Sequence, residues 1–141
     1  INPDAVAMQR KTAEFNKIEH LVNIYHSDCF DSIPDSEKWD LVVSNPPHFP
    51  LDYVVGNTPP GEFNLKAHDP DWELHKKFYA GIKKFMKPGG HVVIQENTQG
   101  GQSLETFKEM IVAGGGEVVS YTQSVDVCGR GNPMYYLVSK W

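Results

Sequence analysis

The chain has 141 residues, with 13 Lys and Arg against 18 Asp and Glu and a formal charge of −5. That length suits one ordinary domain, and 40% apolar with 11% aromatic residues can build its core, which excludes disorder as the main character. The acidic balance gives no general electrostatic grip on nucleic acid or an anionic membrane, and no apolar run approaches the ~20 residues of a membrane span.

Asn2-Pro3-Asp4 has the makings of a helix start: Asn caps, Pro suits the first helical position, and Asp sets a negative charge in the first turn. Ala5, Met8, Thr12 and Phe15 then recur at helical spacing, so a helix to about Asn16 with that stripe buried is expected. There is no initiator Met, and so abrupt an entry suggests a fragment. Leu21 to His26 reads as a short strand, with Asp28-Cys29-Phe30-Asp31 in the loop at its carboxyl end. Trp39-Asp40 leads into Leu41-Val42-Val43, a continuous apolar run typical of a strand covered on both faces. It must end at Ser44-Asn45-Pro46-Pro47, because proline donates no hydrogen bond to a ladder.

Between Pro46 and Pro70 lie six prolines and no period, the pattern of a long functional loop. Asp71 to Lys87 is read as an amphipathic helix. Leu74, Phe78, Ile82, Phe85 and Met86 face inward, and Lys76, Lys77, Lys83, Lys84 and Lys87 face solvent. The Asp71-Trp72-Glu73 start supplies carboxylates matched to the helix dipole, and Pro88-Gly89-Gly90 terminates the helix. His91 to Glu96 is a buried strand, and Ser103 to Ala113 a helix closed by Gly114-Gly115-Gly116. Glu117 to Val127 and Met134 to Lys140 are strands joined by Cys128 to Pro133, an antiparallel hairpin. The order predicts an α/β sandwich with a mostly parallel sheet. In such sheets ligands collect at the carboxyl ends of strands, where Asp28, Asn45 and Glu96 fall. Glu96-Asn97 points to the same edge as Asn45 and suits either the lining of a pocket or a satisfied polar loop.

Asn45-Pro46-Pro47-His48 concentrates the chemistry. Each proline fixes φ, and the residue before it is held extended, so the Asn45 amide and neighbouring carbonyls form a rigid cluster of acceptors. The Asn45 side-chain oxygen and the Pro46 carbonyl can each accept one N–H of a planar amino group, leaving its nitrogen aimed at an electrophile. His48, beside Phe49, can stack on the plane of the group being modified. The same residues also serve as a plain strand stop with Asn45 capping a turn.

Ser44-Asn45-Pro46-Pro47-His48-Phe49 after Asp40-Leu41-Val42-Val43 resembles the N-P-P-aromatic motif of class I S-adenosylmethionine-dependent methyltransferases that modify amino nitrogens, the small methyltransferase domain group. Ile1-Asn2-Pro3-Asp4-Ala5-Val6 resembles the segment just after the acid that binds the cofactor ribose. Asp28-Cys29-Phe30 resembles the loop whose carboxylate meets the cofactor adenine, and Lys87-Pro88-Gly89-Gly90 the turn before the fifth strand. The resemblance implies a Rossmann-like methyltransferase sandwich, with residues 1–141 as the carboxyl-terminal part of the domain and the first two strands missing. It implies S-adenosylmethionine as cofactor, with Ile1, Asp28, Cys29, Phe30 and Asn45 in its site and Asn45, Pro46, Pro47 and His48 around the acceptor nitrogen. His48 stands where the motif usually has Tyr, Phe or Trp, so stacking is weaker and a hydrogen bond to substrate becomes available.

The implied activity is N-methylation of a planar amino group on a protein glutamine, a nucleobase or a small molecule, with this chain inactive alone because half the cofactor site would precede Ile1. The charge tilts the acceptor away from nucleic acid. The gap left by two missing strands implies a homodimer or strand exchange. The rival from another class is a non-catalytic α/β binding or assembly module. Cys29 and Cys128 lie far apart, outside any C-x-x-C pair and without a signal peptide, which predicts reduced thiols and a cytoplasmic protein. Six histidines include one local cluster, His68, Asp69, Asp71 and His75, but no pair has a metal-site spacing, and no metal is expected.

Overall fold

The computed structural model describes residues 1–141 except 55, 58, 60, 61, 65 and 125–133. It divides into two compact units, Ile1–Glu37 and Lys38–Trp141.

In the first unit, α1 spans Pro3–Phe15 as the capping pattern predicts, with the Asn2 side chain accepting from the Asp4 and Ala5 amides. Its stripe is not buried. Only Ala13 is, while Met8 and Phe15 are 64% and 87% exposed. Ala5, Met8, Thr12 and Ala13 instead line an open apolar groove with Ile18, Val22 and Ile24. The strand expected at Leu21 to His26 is also absent: a 3-10 turn at Glu19–Leu21 is followed by irregular backbone. A β-rich run becomes a strand only where another strand meets its backbone groups, and none of the described strands does so here.

The second unit holds a four-stranded sheet. Strand β1 is Trp39–Ser44, followed by α2 at Glu73–Gly81, β2 at Met86–Asn97, α3 at Leu104–Ala113, β3 at Glu117–Gln123 and β4 at Met134–Lys140. The order is β1-β2-β4-β3, with β1/β2 parallel and both other pairings antiparallel. The sheet is therefore mixed, not mostly parallel. β4 joins β2 antiparallel, and β3 lies antiparallel to β4 beyond it. The connector Cys128 to Pro133 lies outside the described residues.

Register sets the two faces. Val42 pairs with Val92, Ser44 with Ile94, Ile94 with Leu137, and Glu96 with Tyr135, so these side chains share one face. That face is the covered one: Val92, Ile94 and Leu137 join Tyr79, Ile82, Phe85, Phe107 and Ile111 in the core. Leu41 and Val43 point the other way and are 57% and 71% exposed, so β1 is an edge strand with one open face, not one covered on both sides.

The expected single helix over 71–87 is shorter and broken. α2 ends at Gly81, a 3-10 turn covers Ile82–Phe85, and Met86 already belongs to β2. Lys87-Pro88-Gly89-Gly90 lies inside the strand, and Gly90 packs so closely on the Trp39 and Lys87 carbonyls that a Cβ there would stand 3.0 Å from each. The inward residues include His75 and Tyr79, which the apolar pattern passes over. α3 follows its prediction, with Ser103 at the cap. Gly114 lets the end of α3 lie on α2, since a Cβ there would strike the Tyr79 carbonyl.

Candidate active site

The backbone after β1 turns sharply and runs beside a second loop segment. The amides of His48 and Phe49 both donate to the Ala67 carbonyl, at 3.0 and 2.9 Å, and the Asp69 amide returns to the Phe49 carbonyl at 2.8 Å. Two consecutive prolines make this clamp stiff, because neither offers an N–H and both fix φ. Asn45 ends up exposed, and among the described residues no hydrogen bond engages its side chain. Pro46 and Pro47 are half-buried. The carboxyl end of β1 thus presents a free amide on a rigid base.

His48 sits elsewhere than a stacking role requires. Its side chain is 9% exposed, and Nε2 donates to the Gln95 carbonyl at 2.5 Å, with the Glu96 carboxylate 3.7 Å away. Burial lowers its pKa, against the opposing pull of the Gln95 carbonyl and Glu96, so its ring is neutral near pH 7. The ring that stacks is that of half-buried Phe49, which lies on Tyr53 with centroids 4.4 Å apart and planes 8° from parallel. Gln102 donates to the carbonyls of His48 and Asn97, tying this loop to the end of β2.

Beneath His48 lies a buried polar chain that runs from Asp69 through His75 to Glu96 and Tyr79. His75 Nδ1 donates to Asp69 Oδ2 at 2.5 Å and its Nε2 to Glu96 Oε2 at 3.2 Å, while the Tyr79 hydroxyl donates to Glu96 Oε1 at 2.8 Å. His75, Tyr79 and Glu96 are each at most 1% exposed, and Asp69 3%. Burial opposes charge on His75, but its hydrogen bonds to Asp69 and then to Glu96 prevail and raise its pKa to about 9. Burial also acts against ionised Asp69, yet His75 and the Leu74 and His75 amides hold its carboxyl below the usual range. Burial, followed by the Glu96 carboxylate, pushes the Tyr79 hydroxyl far upward, so it stays protonated and donates.

Local backbone explains why this chain forms. Asp69 caps α2 by accepting from the Leu74 and His75 amides at 2.8 and 3.1 Å. Asp71 and Trp72 stand at φ +53° and +58°, a left-handed turn that L-residues adopt at a cost of about 1–2 kcal/mol each. The cap is therefore Asp69, and the expected cap at Asp71-Trp72-Glu73 is corrected; Asp71 is exposed. Glu96 and Asn97 are corrected as well: both are buried, so neither lines an open pocket. Of the expected His68, Asp69, Asp71, His75 cluster, only Asp69 and His75 meet. His68 turns away, accepting from the Asn64 amide through Nδ1 and donating to the Tyr53 carbonyl through Nε2.

In the first unit, Ile1 and the Asp28 loop come together. The Ile1 amino group donates to the Ser27 carbonyl at 3.0 Å, and the Ile1 carbonyl accepts from His26 Nε2 at 3.0 Å. Asp28 is exposed, Cys29 turns at φ +50°, and Phe30 is half-buried. The amides of Asp31 and Ile33 close this turn onto the Asp28 and Phe30 carbonyls.

A mixed sheet flanked by helices, with its free amide at the carboxyl end of β1, is an α/β methyltransferase fold. It aligns with the fibrillarin pre-rRNA processing protein of Methanococcus jannaschii at a TM-score of 0.57 and 16% identity, covering 99% of this chain and 53% of that one. Residues 1–57, which include Asn45 to His48, match the family described as the methyltransferase small domain. The chain is 29% identical over 123 residues to a release factor glutamine methyltransferase of Streptomyces coelicolor, covering 77% of this chain and 40% of the relative. It is 29% identical over 101 residues to a ribosomal protein uL3 glutamine methyltransferase of Francisella tularensis, covering 67% and 31%. The chain thus spans less than half the length of these curated relatives. Among the described residues, no helix is long and apolar enough to cross a membrane.

Proposed function

We propose that the protein is an S-adenosylmethionine-dependent N-methyltransferase whose acceptor is the side-chain amide nitrogen of a protein glutamine. The observation that carries this reading is the exposed Asn45 amide, unengaged among the described residues, on the proline-stiffened end of β1. Both curated relatives described above are named for methylating glutamine, which favours a protein over a nucleobase or small molecule as acceptor.

S-adenosylmethionine supplies an electrophilic methyl group that needs no further activation, so the protein's task is mainly positioning. Asn45 Oδ1 and the Pro46 carbonyl each accept one N–H of the acceptor and hold its nitrogen in line with the methyl carbon. These oxygens would also favour the positive charge that grows on nitrogen as its bond to the methyl carbon forms and the sulfonium C–S bond breaks, the thioether leaving and the surplus N–H proton passing to solvent. Pro47 keeps the backbone from relaxing away. His48 acts from below: its grip on the Gln95 carbonyl fixes the loop that bears Asn45. Asp28, Cys29 and Phe30, with Ile1 beside them, offer a carboxylate and a flat ring suited to the cofactor's adenine.

The test uses the full-length gene product, S-adenosylmethionine and a glutamine-bearing protein acceptor, with N-methylglutamine read by mass spectrometry. Asn45→Ala is expected to reduce methyl transfer at least about 100-fold, since one transition-state hydrogen bond in such a site is worth that much. Cofactor affinity by calorimetry stays unchanged. Equal loss of both would remove Asn45 from the chemistry, and absence of cofactor binding would favour a non-catalytic module.

A further inference from the structure

We propose that His48, His75 and Glu96 form a binding site for one divalent transition-metal ion of the zinc type, which ties the loop after β1 to β2 and α2. The three donor atoms come from separate elements yet lie within 4.8 Å of one another, all on buried residues. Glu96 Oε2 is 3.7 Å from His48 Nε2 and 3.2 Å from His75 Nε2. A tetrahedral ion with bonds of about 2.1 Å has ligand-to-ligand edges of about 3.4 Å, so both distances suit its coordination shell with sub-ångström adjustment. The Gln95 carbonyl, 2.5 Å from His48 Nε2, is closer than such an edge; it gives up its hydrogen bond when the ion binds, and the fourth position falls to water.

The surroundings match what such ions require beyond their direct ligands. An imidazole ligand is ordinarily oriented by a carboxylate on its other nitrogen, and a carboxylate ligand by a donor on its other oxygen. Asp69 Oδ2 holds His75 Nδ1, and the Tyr79 hydroxyl holds Glu96 Oε1. Asp69 is itself fixed by the Leu74 and His75 amides. Two imidazoles and a carboxylate are a donor set that zinc and other divalent first-row ions accept. On binding, the ion replaces the Nε2 proton of His75, which passes to solvent. His48 shifts its ring proton from Nε2 to Nδ1, and the His75 Nδ1–H stays on Asp69. With so little exposure the site is closed, and its role is structural. It meets the methyl-transfer reading only at His48, whose Nε2 exchanges the Gln95 carbonyl for the ion, so that the loop bearing Asn45 is tied to β2 with or without metal.

The experiment strips the purified protein with a chelator, then titrates zinc against a chromophoric competitor and records the absorption of the cobalt(II) form. The expected result is one ion per chain, a rise in melting temperature on loading, and cobalt spectra of four-coordinate nitrogen and oxygen ligation. His48→Gln and Glu96→Gln should each weaken zinc affinity at least tenfold. Asp69→Asn, which touches no ion, should weaken it by about 10–100-fold. X-ray absorption on the unmutated zinc protein guards against variants that fail to fold and should find two imidazoles in the shell. Absence of saturable binding, a shell without two imidazoles, or affinity unchanged in folded His48→Gln would overturn the site. The last result would assign the metal to exposed histidines such as His20 and His26.

Discussion

Tyr79→Phe isolates the buried polar chain with the least disturbance. The ring is 1% exposed and lies parallel to Trp141, with planes 8° apart and centroids 6.4 Å apart, and Phe keeps that packing. Only the hydroxyl is lost, and with it the 2.8 Å bond to Glu96 Oε1. Hydrogen bonds to charged partners contribute about 1.5–3 kcal/mol, and an oxygen with no access to water cannot find a replacement donor. The expected loss is therefore about 2–3 kcal/mol. At about 2.1 cal/mol/K of unfolding entropy per residue, a chain of this length should melt about 7–10 °C lower. The assay is thermal and urea unfolding with EDTA present, beside Tyr121→Phe as a control, since Tyr121 is 54% exposed and should change little. A double-mutant cycle with Glu96→Gln should return a coupling of about 1 kcal/mol or more. If Tyr79→Phe unfolds within about 0.5 kcal/mol of the parent, the hydroxyl contributes no more than a surface group, and the reasoning fails.

Further outcomes follow from the same geometry. In EDTA, His75 keeps its proton to a pH of about 9 when folded, against an ordinary histidine value of 6.5. The associated stability, about 3 kcal/mol, should be fully present below pH 6.5 and disappear as the pH rises through about 9. Urea midpoints across that range, compared with those of His75→Gln, provide the check, and equal slopes for the two proteins would contradict it. Gly114→Ala should destabilise by about 1–3 kcal/mol, because its methyl group meets the Tyr79 backbone carbonyl, which cannot rotate away; chemical unfolding measures it. Phe107→Ala, at 0% exposure among His75, Trp72 and the core, should cost about 3–5 kcal/mol, read by calorimetry.

Local chemistry made much of the frame legible. Asn2 before Pro3, Ser103 before an apolar helical stripe, and the double proline after Leu41-Val42-Val43 each act within a few residues, and each boundary lies within a residue or so of its reading. The reading missed where an element depends on a neighbour. Leu21 to His26 has strand composition but no described partner, and the α1 stripe has helical spacing but little cover. At 71–87, the apolar period continues across a helix, a 3-10 turn and the first residue of a strand, so periodicity cannot show the breaks.

The candidate site divides along the same line. Asn45 with two prolines declares itself in sequence, because rigidity and a free amide are properties of adjacent residues. His48, Glu96 and the pair Asp69 and His75 each stand out in the chain for separate reasons, but their meeting with one another and with Tyr79 does not, because they are separated by up to 48 positions. His75 and Tyr79 carried one hint, a four-residue spacing that puts them on one helical face beside the apolar stripe. Register decided the rest: pairing Ser44 with Ile94 sets Glu96 on the covered face, and a left-handed turn at Asp71 and Trp72 brings Asp69 onto His75. A sequence determines short-range preference because caps, prolines and periodicity act through bonded neighbours. Which carboxylate a buried histidine meets is decided only when strands and helices close on one another, because that meeting depends on packing between distant segments.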